Sequence, residues 1–135
     1  MSVIEHTDLA ADYGLSPQAI DLAGAGPLTV VNLFELNETA RYPSGEQCPG
    51  VEAMRRYGAA SGPCLEAAGG RFLSQALPTG VVWGDDDGPW HLLVVASYPD
   101  AGAFWSLLAD PDYRRAFAHR RAAVARQRVL VGASL

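Results

Sequence analysis

The sequence predicts one α+β domain built on a four-stranded antiparallel sheet, and three observations carry that expectation. Two apolar runs, at 28–36 and 92–97, are too short to cross a membrane and are bounded by Gly and Pro, as interior strands are. Helical periodicity falls between the strands, not at one end of the chain, over 51–68 and again after Asp100. A chain of 135 residues with 49% hydrophobic and 19% charged content can bury one core without disulfide or metal staples. The resulting order of strand, helix, strand, strand, helix, strand is the split βαβ, ferredoxin-like arrangement.

Residues 1–14 show no clear period and read as a loosely packed arm ahead of a domain over 15–135. Glu5, Asp8 and Asp12 interrupt any signal-peptide core, and no stretch nears the ~18 apolar residues of a membrane span, so a cytoplasmic protein is expected. Ser16 caps a short helix with Pro17 at its first position. Residues 28–36 (LTVVNLFEL) are apolar on both faces, which suits a strand inside the sheet. Asn32 interrupts that run and must satisfy its amide, either on a neighbouring loop or on a ligand. Residues 37–50, broken by Pro43, Gly45 and Pro49, read as a loop of the kind that borders a binding site, with Arg41 and Tyr42 as its chemically useful members.

The helix over 51–68 places Met54, Gly58, Ser61 and Leu65 on one face, where small residues allow close approach to the sheet. Pro63 is expected to kink or split it, and Gly69 to end it in the left-handed conformation. A strand follows over 71–77, with 81–83 as its candidate continuation. Asp85, Asp86 and Asp87 form a turn: contiguous carboxylates point apart, and the calcium-loop pattern is missing. After the central strand, Asp100 caps one helix and Asp110-Pro111 opens the next. Residues 128–131 close the chain as a short strand.

In that last helix Tyr113, Phe117, Arg120 and Val124 share a face, so an arginine lies on the apolar stripe. Its guanidinium must snorkel out or find an acceptor inside. Glu35 is the first candidate partner and Glu52 the second, with a ligand anion as the functional alternative. His91, at the mouth of the central strand, is the candidate general acid or base, with Tyr98 and His119 next in line. Tyr42 and Tyr57 are further candidate proton donors. Trp83 and Trp105 are aromatic enough to wall a flat substrate, a role that competes with ordinary core packing.

Charge and spacing exclude several partners. The net charge of −5 argues against a nucleic-acid binder. All ten basic residues are arginines, and the six from Arg114 to Arg128 read as a solvated helix surface. No Gly-rich dinucleotide loop is present. Cys48, Cys64 and the three histidines are spaced unlike metal ligands, so no cofactor is expected and the thiols should be reduced. Both helices on one side of a four-stranded sheet leave the other side bare, and a homodimer packed sheet to sheet would bury it.

The segments GPLTVVNLFEL, ARYPSG, GVEAMRRYG, LEAAGGRFL and LLVVASYPDAGAFWSLLADPDYRRAFAHRRAAV resemble the domain of unknown function thirteen-thirty family, a branch of the dimeric α+β-barrel superfamily. The resemblance covers 15–132. It implies a dimeric ferredoxin-like fold with a pocket between sheet and helices, used in related proteins such as antibiotic-biosynthesis monooxygenases and polyketide cyclases, often without metal or organic cofactor. The function expected is therefore cofactor-independent acid/base tailoring, a cyclisation or isomerisation, of a small hydrophobic metabolite. The alternatives are a cofactor-free monooxygenase and a non-catalytic metabolite-binding dimer.

Overall fold

The structure, a computed structural model, describes residues 3–135, with side chains from His6 onward. In chain order it contains α1 (Val3–Tyr13), α2 (Pro17–Leu22), β1 (Leu28–Leu36), β2 (Thr39–Arg41), β3 (Gln47–Pro49), α3 (Gly50–Ala67), β4 (Arg71–Ala76), β5 (Leu92–Tyr98), α4 (Ala101–Ala109), α5 (Pro111–Ala123) and β6 (Val124–Ala133). Four strands form one antiparallel sheet in the order β4-β5-β1-β6, which is the ferredoxin-like topology that the element order predicts. β1 is interior because it is apolar on both faces: Val31 pairs with Val95 on one side and Leu130 on the other.

Alternation along β1 sorts the two faces. Leu28, Val30 and Phe34 point to the helices and are buried, as are Ala96 and Tyr98 of β5. On the opposite face Val31, Leu33, Leu93 and Val95 are only half-buried, and Leu130 is exposed. α3 and α5 pack together on the helix side. Local signals start and stop these helices. Asp100 Oδ1 accepts from the Ala103 N–H at 2.8 Å, and Asp110 Oδ1 from the Asp112 N–H at 2.8 Å with Pro111 at the first position. Gly69, at φ +89°, ends α3.

Several expectations change. The segment expected to be a loose arm is helical from Val3, while residues 1 and 2 lie outside the described residues. Leu9 and Ala10 bury into the core, His6 stacks on Trp105 at 4.4 Å, and the Tyr13 hydroxyl donates to the Leu108 carbonyl at 2.7 Å. Two of the arginines expected to be solvated hold this helix: Arg114 pairs with Asp12 at 2.8 Å, and Arg121 donates to the Asp12 carbonyl at 2.9 Å. The 37–50 loop folds into a β2–β3 hairpin. Pro63 lies inside an unbroken α3. Residues 81–83 extend no strand, and Val82 and Trp83 are 98% and 93% exposed. α5 ends at Ala123, because Val124 is already extended (φ −95°, ψ 121°) and begins a final strand much longer than 128–131.

Candidate functional site

A cavity of about 1040 Å³ lies between the sheet and the helices. Most of its wall is apolar, from Ile20, Val30, Met54, Val94, Phe104 and Leu107, among others. The small residues of α3 shape it. Gly58 and Ser61 face the cavity, and a Cβ built on Gly58 meets nothing within 4 Å. These residues therefore leave a volume open where the sequence suggested that they bring helix and sheet together. The more exposed part of the lining comes from Val51 and Arg55 of α3, Phe72 and Gln75 of β4, and Leu77 just beyond it.

One part of the cavity is polar, and Arg120 is at its centre. Its Nη1 donates to the Tyr57 hydroxyl at 3.1 Å, and its Nε and Nη2 both reach Gln127 Oε1, at 3.1 and 2.8 Å. A longer contact of 3.5 Å runs from Nη2 to Asn32 Oδ1. Three rings surround the guanidinium: Phe34 at 4.7 Å, Phe117 at 5.1 Å and Tyr57 at 5.5 Å, distances at which an aromatic face attracts a cation. The Tyr57 and Tyr113 hydroxyls are 2.7 Å apart, and Asn32 Nδ2 donates to the Val94 carbonyl at 3.1 Å. Burial holds the phenols of Tyr98 and Tyr113 above the usual tyrosine value, so both are proton donors at neutral pH.

Among the described residues, none of the hydrogen-bond partners of Arg120 is a carboxylate. Strand alternation excludes Glu35, which follows the helix-facing Phe34 and so points to the opposite face of the sheet, where it meets Arg126 at 3.3 Å. Glu52 is engaged by Arg55 at 2.6 Å and Arg56 at 3.5 Å. The cavity therefore holds a guanidinium satisfied by neutral acceptors, an arrangement able to stabilise negative charge on an oxygen brought to it.

Residues 49–134 match the model of a domain of unknown function, DUF1330. The chain belongs to this family. The RPA0582 protein of unknown function from Rhodopseudomonas palustris is 30% identical with a TM-score of 0.78, over 100% of this chain and 95% of that one. A methylated form of RPA0582 gives 31% and 0.79, over 100% and 93%. Two solved proteins of unknown function described as dimeric and ferredoxin-like share the fold. One, from Thermobifida fusca, is 20% identical with a TM-score of 0.53, over 82% of this chain and 92% of its own. The other, from Bacteroides fragilis, is 11% identical with a TM-score of 0.54, over 81% and 97%. The chain matches no curated protein.

Of the residues that the sequence singles out, this DUF1330 chain brings Asn32, Tyr57, His91, Tyr98 and Arg120 to the cavity wall. Arg41, Tyr42, Trp83, Trp105 and His119 lie outside it. Tyr42 and His119 form a pair of their own, hydroxyl to Nδ1 at 2.7 Å, that fastens the β2–β3 hairpin to α5. Trp105 is 3% exposed and packs in the core. Of the 37–50 segment only Asn37 and Glu38 border the cavity. His91 is exposed, and its Nδ1 accepts the Leu36 N–H at 2.9 Å, so the neutral ring carries its proton on Nε2. That leaves Nε2–H as a hydrogen-bond donor, while Nδ1, engaged by the Leu36 N–H, is not free to take a proton.

Gln127 is the Arg120 partner on the cavity wall that sequence reading misses. Ending the helix late and starting the strand late hid the alternation of 124–131, which turns Arg126 and Arg128 to one face and Gln127, Val129 and Val131 toward the cavity. Among the described residues no group of three or more His, Cys, Asp or Glu side chains is placed to hold a metal ion, and no helix is long and apolar enough to cross a membrane.

Proposed function

We propose that the cavity receives a small, largely apolar metabolite with an oxygen directed at Arg120, and that the chain carries out a cofactor-independent proton shift on it, a cyclisation or isomerisation. The observation that supports this is the pairing of an apolar cavity of about 1040 Å³ with a guanidinium that no carboxylate neutralises. A carbonyl oxygen accepting from the Tyr57 hydroxyl and Arg120 would be stabilised as it gains negative charge, the event that enolisation requires, with the α-proton passing to solvent water at the exposed part of the lining and returning from it. Tyr57 and Tyr113, linked hydroxyl to hydroxyl, supply a proton donor beside that oxygen.

A carrier or sensor is the second reading, and one observation favours it: the groups around Arg120 are phenols and amides, with no imidazole or carboxylate to take a proton. The two readings separate when a panel of apolar enolisable ketones is followed by NMR in deuterated water. Deuterium uptake above the buffer rate, lost in Tyr57→Phe, supports the enzyme. Saturable binding with buffer-rate exchange across the panel supports the carrier.

The same proposal includes a homodimer. Val31, Leu33, Leu93, Val95 and Leu130 form an apolar patch on the face of the sheet opposite the cavity. At one end of this patch Arg126 meets Glu35, and Arg128 pairs with Asp87. An apolar centre with charges already paired within the chain fits a second copy of itself. Because this patch and the cavity lie on opposite faces, dimerisation leaves the cavity in place.

A further inference from the structure

We infer that the Arg120 side chain is the seat of a single carboxylate and that Gln127 holds this seat as a neutral stand-in. The inference rests on the reading of the cavity as a small-molecule site. Arg120 Nε and Nη2 form the edge of the guanidinium that binds the two oxygens of a carboxylate side by side, and both converge on Gln127 Oε1. The other contacts fix the plane of the guanidinium. Tyr57, tied to Tyr113, holds Nη1, and Asn32, tied to the Val94 carbonyl, lies near Nη2.

Gln127 differs from these partners. It is exposed on β6 and borders both the cavity and a second, shallow groove near the end of α5, so it has a place to swing into. An arriving carboxylate would exchange an amide contact for a charge-assisted pair.

Charge selects the ligand class. Among the described residues the titratable and charged groups on the cavity wall, phenols aside, are Arg120, Arg55, Glu38 and His91. Arg55 is committed to Glu52 through two hydrogen bonds, and Glu38 is exposed and repels an anion from its own part of the wall. One unopposed positive charge among apolar walls matches a monoanion, which favours a monocarboxylic acid with an alkyl or aryl body over a phosphate ester.

The test uses decanoate, 1-decanol and decyl phosphate as probes, titrated by calorimetry at neutral pH. Wild-type protein should bind decanoate at least about tenfold more tightly than decanol, the charge-assisted bond being the difference, and decyl phosphate no more tightly than decanoate. Arg120→Met should erase the preference while decanol still binds. Gln127→Glu fills the seat with a built-in carboxylate and adds an ion pair, so it should fold and also lose the preference. Gln127→Ala should bind decanoate at least as well as wild type. Equal affinity for decanoate and decanol in wild type, or a preference that survives in Gln127→Glu, overturns the inference and leaves the apolar cavity site standing. Failure of both probes to bind overturns that underlying reading as well.

Discussion

Replacing Arg120 by Met tests whether the guanidinium belongs to the scaffold or to the site. Had Arg120 paired with a buried carboxylate, its removal would leave that charge uncompensated, at a cost of ~3–5 kcal/mol. The structure gives it no such partner. Tyr57 keeps its hydroxyl contact to Tyr113, Gln127 is exposed and can hydrate, and the Asn32 contact is a long 3.5 Å. Of the three good hydrogen bonds lost, the two to Gln127 are replaced by water, which leaves the net cost of one bond to a charged group, ~1.5–3 kcal/mol, and ring contacts worth ~1–2 kcal/mol. They are offset by relief of the desolvation of a half-buried cation, which is of similar size. Met also keeps the apolar stem. The net change should lie within about 1.5 kcal/mol, or about 6 °C in melting temperature for a chain of this size. Calorimetric melting of wild type, Arg120→Met and the surface control Arg115→Met measures this. A fall of more than about 12 °C for Arg120→Met, with Arg115→Met unchanged, would refute the assignment and return Arg120 to the scaffold.

Three further outcomes follow from named contacts. Gly50→Ala should destabilise by more than about 2 kcal/mol in urea unfolding, because its Cβ would stand 1.7 Å from the Asn37 carbonyl oxygen, and the Asn37 backbone N–H and side chain hold the end of α5. Tyr98 and Tyr113 have folded-state pKa values raised by burial above their unfolded value near 10, so their contribution to stability is complete below pH 10 and is lost as pH rises through the folded values. Absorbance at 295 nm should show these phenols ionising only with unfolding, and Tyr98→Phe should flatten the alkaline decline; free titration of all five tyrosines near pH 10 in folded protein would contradict this. Val95→Glu, at the centre of the apolar sheet face, should convert a dimer to a monomer by light scattering at micromolar concentration, while decanoate binding persists.

The sequence by itself determined the sheet, its two crossing helices and the family. Those rest on local chemistry: a β1 with apolar residues on both faces, Asp100 and Asp110 caps, Pro111 at a first position and Gly69 at φ +89°. It also placed Tyr113, Phe117 and Arg120 on one helical face, a matter of spacing alone. Tertiary structure decided which groups meet. Which face of β1 turns toward α5 separated Glu35 from Arg120 and left the guanidinium to Tyr57 and Gln127. The α1 helix escaped notice because its few apolar residues gain a partner only when α4 and α5 lie beside it. His119 and Tyr42, attractive as chemistry, proved to be a clasp for the hairpin. Sequence periodicity specifies the direction of a side chain within its own element. The partner that it meets depends on register and packing across elements distant in the chain, and the candidate site is made of such meetings.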